Sequence, residues 1–298
     1  MAETTKCFSL VRGRALRVTR LDGCGVPVPG PDSVVVSEGF ITVGLTANTD
    51  EGTEINVTNA AGNVCILDQP APKFTGYGVT VEFCGVDPAL ISLMTGQEQV
   101  YDATGETAIG FRMNTDVNAD ESGFALEMWS NVPAAACEAG QTGQLYGYFL
   151  IPFLKGGVIG DFTIGNDAVN FTLSGANSKD GNGWGSGPYD VVSDDTQLPS
   201  PLLDPLDPND HLHMQLTDVP PPDTDTCGGQ PLGVPATSAT AGTPGTYTPA
   251  NSYGPATLAD ATGLTASPTT AWTAGQYVRT RDGDAMHWSG TAWVADPA

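Results

Sequence analysis

Basic side chains are scarce in this sequence: 11 Lys and Arg stand against 34 Asp and Glu in 298 residues, a formal net charge of −23. Phosphate-binding surfaces need a basic footprint, so a chain this acidic is expected to repel nucleic acid rather than hold it. Charged residues of both signs together make up only 15%, against roughly 25% in an ordinary globular chain. Long apolar runs are missing as well. The most apolar stretch, residues 145–159, contains Pro152, Lys155, Gly156 and Gly157 and falls short of the ~20 residues of a spanning helix. The amino terminus, MAETTKCFSLVRGR, lacks the apolar centre of a secretory signal, so synthesis in a reducing cytoplasm and free thiols are expected.

Chemistry-bearing motifs are equally sparse. The six cysteines, Cys7, Cys24, Cys65, Cys84, Cys137 and Cys227, are widely spaced with no Cys-x-x-Cys, and the pair His211 and His213 has no cysteine nearby, which argues against zinc. Asp204, Asp207, Asp210, His211 and His213 match neither an EF-hand loop nor a His-Glu-x-x-His helix and read better as a solvated linker. No Gly-x-Ser-x-Gly elbow, Walker loop or dinucleotide fingerprint occurs, and with so many acids a carboxylate pair has no specificity. No enzyme, metal or cofactor is expected.

What the chain does have is turns and alternation. Gly 37 and Pro 23 make it turn-rich without reaching the ~25–30% that marks disorder, which favours many short strands. Residues 146–154 are apolar almost without interruption, as in a strand covered on both faces. Phe162 and Ile164 alternate with Thr163, and Val169, Phe171 and Leu173 with Asn170, Thr172 and Ser174, giving further strands around a Lys-Gly-Gly break. Residues 74–84 form the cleanest strand, with Tyr77, Val79, Val81 and Phe83 on one face. Asp87 as N-cap, Pro88 at the first position and Gly96 as terminator predict one short helix over Pro88–Thr95.

The remaining segments fill in the order. A basic strand over residues 7–20 carries Arg12, Arg14, Arg17 and Arg20, which could pair with this protein's own acids, an acidic neighbouring subunit, nucleic acid or a lipid headgroup. Strands over 34–36, 40–45, 55–58 and 64–67 suggest a long hairpin with an acidic tip at Asp50 and Glu51. Ile109, Phe111 and Met113, then Phe124, Leu126 and Met128, alternate around an acidic hairpin at 114–122. Trp184 sits alone in a glycine-rich connection, either plugging a neighbouring surface or anchoring on its own domain, and residues 189–192 are expected to close the sheet. Residues 197–235 are proline-rich and read as a semi-rigid spacer. A tail meander follows over 276–280, 285–288 and 291–294, with turns at Asp282-Gly283 and Ser289-Gly290.

Taken together, EGFITVGL, NAAGNVC at 59–65, FCGVDPALISLMTG, MWSNVP at 128–133, YFLIPFLKGGVIGDFTIGNDAVNFTLSGA and GNGWGSGPYDV resemble the major tail (tail tube) protein of long-tailed bacteriophages, particularly those infecting actinobacteria. The resemblance implies a mainly β fold, a tail-tube β-sandwich or barrel with one short helix, whose hexameric rings stack into a tube that passes the genome. It also implies tape-measure and terminator proteins as partners, DNA that transits without sequence-specific binding, and a place in the virion after synthesis in the host bacterial cytoplasm. Candidate subunit contacts are Arg12, Arg14, Arg17, Arg20, Asp50, Glu51 and Trp184, with some acids lining the bore. Trp272-x4-Tyr277 and Gly283-Asp284-x-Met286-x-Trp288-x-Gly290-x-x-Trp293 are similar to small chitin-binding modules, although the chain ends at Asp296-Pro297-Ala298 without their further tryptophans. Trp272, Tyr277, Trp288 and Trp293 are therefore either glycan-facing or the core of a very small domain. The expected organisation is a tail-tube domain at 1–222, a linker at 223–235 and a small all-β module at 236–298 that decorates the surface. The alternative function is a carbohydrate-binding adhesin that meets a host-surface glycan through that module.

Overall fold

The computed structural model describes residues 8–105, 107–118, 123–133, 144–166, 168–195, 197–224, 227–232, 277–279, 285–289 and 293–295. In chain order the elements are β1 (Val11–Leu21), β2 (Gly30–Ser37), β3 (Phe40–Asp50), β4 (Ile55–Thr58), β5 (Val64–Asp68), β6 (Lys73–Phe83), α1 (Pro88–Thr95), β7 (Glu98–Tyr101), β8 (Ala108–Arg112) and β9 (Gly123–Asn131). These are followed by β10 (Tyr146–Lys155), β11 (Val158–Ile159), β12 (Phe171–Ser178), β13 (Val192–Ser193), β14 (Pro199–Ser200), β15 (His213–Thr217), β16 (Gln230–Leu232), β17 (Tyr277–Arg279), β18 (Ala285–Trp288) and β19 (Trp293–Ala295). The protein is mainly β, with a single helix among the described residues.

Ten strands form one antiparallel sheet in the order β16-β2-β1-β9-β10-β12-β6-β3, with β11 joined to β12 and β15 to β10. Two-residue alternation divides its side chains between two cores. On one face Leu16, Val18, Phe124, Leu126, Ile151, Val79, Val81 and Phe83 pack against Leu90, Leu93 and Met94 of α1. On the other, Val34, Val36, Trp129, Tyr148 and Leu150 are covered by the segment that carries Trp184, Tyr189, Val191 and Leu202. Strands β9 and β10 are consequently buried on both sides, which accounts for the unbroken apolar run at 146–154.

The helix forms where its termini allow it. Asp87 Oδ1 accepts the N–H groups of Ala89 (2.9 Å) and Leu90 (3.4 Å), Pro88 opens the first turn, and Gly96 closes the last at φ 72°. The second oxygen of Asp87 accepts Gly228 N–H at 2.8 Å, tying the strand at 230–232 to the helix start. Asp87→Ala is expected to lower the unfolding free energy by about 1–2 kcal/mol. Asp87→Ser should cost less, because it keeps a capping oxygen. Equal urea midpoints for Asp87→Ala and wild type would refute the cap.

Several expectations need correction. Asp50 and Glu51 are not a hairpin tip: β3 runs through to Asp50 and pairs with β6, while β4 and β5 form a separate two-stranded arm whose tip is the turn at 59–63. Strand β8 pairs with β7 rather than across to β9, because β9 is already flanked by β1 and β10. Phe162 and Ile164 lie in a loop, Ile164 at 78% exposure, with no strand partner. Residues 192–193 pair with 199–200 outside the main sheet. The proline-rich stretch is not a spacer: β15 extends β10, β16 extends β2, and Leu202, His211 and Leu232 are buried. Strand pairing with the main sheet thus continues to residue 232, inside the linker expected at 223–235. The tail strands β17, β18 and β19 do form the expected antiparallel meander.

Candidate assembly surface

Of the four arginines, one is internal. Arg17 and Glu127 face each other across β1 and β9, 6% and 0% exposed. The guanidinium donates twice, Nε to Oε2 and Nη2 to Oε1, each at 2.6 Å. Tyr148 donates to Glu127 Oε1 at 2.7 Å, and Thr19 Oγ1 shares a 2.9 Å hydrogen bond with the Tyr189 hydroxyl. The Arg17 guanidinium carbon also lies 3.3 Å from the Tyr189 ring centre and 5.0 Å from that of Trp129. Burial by itself would lower the Arg17 pKa, but the Glu127 carboxylate outweighs it and raises the pKa above its ordinary value.

This centre is closed, so Arg17 is corrected from subunit contact to core. Trp184 is corrected likewise: it is 4% exposed and packs in the same core. A sequence signal for Glu127 did exist. Ala125, Glu127 and Trp129 share one strand face, and a lone acid between two apolar residues on a face is a buried acid in want of a cation.

Tyr148 gives a pH prediction. Burial first, and then the adjacent Glu127, push its phenol well above the ordinary value of 10.0. Above about pH 10 the unfolded chain loses this proton while the folded one keeps it, so stability should fall by about 1.4 kcal/mol per pH unit. Tyr148→Phe should remove that slope, measured as urea midpoints between pH 9 and 11. An identical slope in both proteins would count against it.

A second polar cluster is a joint. Ser178 Oγ accepts Tyr77 N–H at 2.7 Å and bonds His211 Nδ1 at 2.7 Å, while His211 Nε2 lies 2.9 Å from Asp180 Oδ1. Ser178 is buried, and this Ser–His–Asp set pins His211 to β6 and β12. No group of three or more metal-ligating side chains occurs among the described residues.

The accessible features lie elsewhere. Arg12, Arg14 and Arg20 are exposed, and Arg12 sits at φ 56° in a bulge of β1 that turns the strand's start out of register. Asp50 and Glu51 are exposed at the root of the β4–β5 arm, with Asp50 Oδ1 accepting Gly52 N–H at 2.9 Å. The arm's Ile55, Val57, Val64, Ile66 and Leu67 are each about half exposed. Strand β3 ends the sheet, and its outer edge pairs with no other strand among the described residues over its 11 residues. The uncovered face of β3, β6 and β12 carries Thr42, Thr46, Thr80, Thr172 and Asn177, with Glu82 as its acid, held by Asn170 at 3.3 Å. Cys24, Cys65, Cys84 and Cys227 are exposed free thiols. Tyr277, Trp288 and Trp293 lie in the tail meander, where Trp288 and Trp293 are register partners; Trp272 lies outside the described residues.

These features define a class: a mainly β protein with closed polar clusters inside, and with an open sheet edge and an uncovered apolar arm outside. No family model matches the chain, and no curated protein matches it.

Proposed function

We propose that the chain is a structural virion protein, the tail-tube subunit of a long-tailed bacteriophage, with six copies closing a ring and rings stacking into a channel for genome ejection. The observation that carries this reading is the 11-residue open edge of β3 beside the exposed arm. A long edge strand without proline or lysine is a template for another chain, and closure into a shared barrel is the architecture that removes it. A lone two-stranded hairpin is marginal in water and gains from being covered by another copy.

In this reading the uncovered face of β3, β6 and β12 lines the bore. Its threonines and asparagine present hydroxyl and amide groups beside Glu82, and Lys73 at the start of β6 is the register partner of Asp50, so DNA meets a hydrated wall with little free positive charge and slides past it. Tape-measure and terminator proteins would meet the tube inside and at its end, and the tail meander would decorate the exterior, where a host glycan is its candidate ligand.

The test is negative-stain electron microscopy of the purified chain across a salt series. Stacked rings with a central hole, forming faster as salt screens the charge of −23 per copy, are the expected result. Monomers at every concentration and salt, together with glycan binding, would replace this reading with the adhesin.

A further inference from the structure

We infer that the arm of one copy seats on the Arg12–Arg14 pole of the next copy, with the acids at the arm's root opposite those arginines. This rests on the tube reading and specifies its stacking contact. The occupant is a second copy of this chain, for three reasons visible in the molecule.

The first is charge. Asp50, Glu51, Glu54 and Asp68 are exposed around the root of the arm, with Lys73 the one cation among them. Arg12 and Arg14 are exposed and make no ion pair or hydrogen bond with the described residues. What sets these two apart is their spacing: they stand on either side of Gly13 at one pole of the sheet, in a chain with 11 basic residues.

The second is apolar surface at both poles. Val57 and Ile66 are register partners on one face of the arm, with Ile55 beside them, and Leu67 lies on the other face. At the opposite pole Ile41 and Val86 are exposed. Phe162 joins them by packing on Phe171, whose register partner is Phe83 at the same end of the sheet as Phe40.

The third is geometry. Gly13, between the two arginines, lies against the Phe40 ring, where a Cβ would come within 2.6 Å of it. The arginines therefore flank the first residue of β3, and the arm leaves from its last, Asp50. At about 3.4 Å per residue the two poles are roughly 34 Å apart. They cannot meet within one copy. Complementary patches at opposite ends of a subunit make head-to-tail contacts, which propagate as an open stack and do not close as a two-fold pair.

The experiment is charge reversal with exchange. Arg12→Glu/Arg14→Glu and, separately, Glu51→Lys/Glu54→Lys/Asp68→Lys are made in the full chain, leaving Asp50 to hold its turn. The critical concentration for assembly is read by pelleting, with circular dichroism as the control for folding. Each reversed protein alone should need at least a tenfold higher concentration than wild type, and an equimolar mixture of the two should assemble within about threefold of it.

The arm reversal moves the net charge from −23 towards zero, so a general charge effect would help it assemble, whereas loss of a specific contact hinders it. Wild-type assembly that either reversal leaves unchanged, or a mixture no better than its components, overturns the contact while the tube stands. A wild-type chain that forms no rings overturns the tube reading, and the contact falls with it. Should a reversed protein misfold, Arg12→Gly/Arg14→Gln applies the same test more gently, since glycine accepts the φ of 56°.

Discussion

Arg17→Met is expected to lower the unfolding free energy by about 3–5 kcal/mol, a large part of the ~5–15 kcal/mol of a typical domain. The cost comes from what remains. Glu127 is fully buried and would lose both guanidinium hydrogen bonds, leaving a carboxyl group without its cation beside the Tyr148 hydroxyl. The paired replacement Arg17→Met/Glu127→Leu should recover most of the loss, because a buried ion pair is worth little more than well-packed apolar side chains of similar volume. Tyr148→Phe alone should cost about 1–2 kcal/mol. Guanidinium denaturation of the unassembled chain measures all of these in one series. A double variant as unstable as Arg17→Met would show that the charges serve something other than each other.

Excising the arm should separate folding from assembly. Gly52 and Pro70 meet at its root, where a Cβ on Gly52 would come within 2.6 Å of the Pro70 ring, and Asp50 and Lys73 are already register partners. Replacing residues 53–69 with a two-residue Asn-Gly turn therefore joins ends that are already close. None of the arm's Ile55, Val57, Val64, Ile66 or Leu67 belongs to either core, so thermal unfolding should move by only a few degrees. Assembly should need at least ~100-fold more protein, since each half-exposed aliphatic covered in a contact contributes on the order of 1 kcal/mol. Tubes forming at the wild-type concentration would remove the arm from the assembly surface.

The parts of the fold legible in the sequence are those fixed within a few neighbouring residues. Asp87, Pro88 and Gly96 delimit the helix because each acts on backbone groups at most four positions away. Alternation in 74–83 marks β6 because one face of it is buried and the other is wet. The same logic failed where pairing was remote. Residues 213–217 and 230–232 look like spacer because proline and aspartate dominate their surroundings, and only docking on β10 and β2 gives their backbone groups partners. Phe162 and Ile164 alternate as a strand would, yet Phe162 meets β12 only through its ring against Phe171, and neither residue joins a ladder among the described residues.

Of the candidate contacts, the sequence could mark the arginines and the acids but not sort them. Arg12, Arg14 and Arg17 are alike as residues. Arg17 falls on the strand face opposite Glu127, 110 positions away, and is consumed there, whereas the bulge at Arg12 turns its neighbours into solvent. Composition and local periodicity are enough to specify a mainly β chain, the one capped helix among the described residues, an excess of acidic side chains and a three-strand tail. Tertiary structure alone decided which charges are buried and which stay free. Burial depends on the register between strands distant in sequence, and a shift of one residue moves every side chain of a strand to the other face.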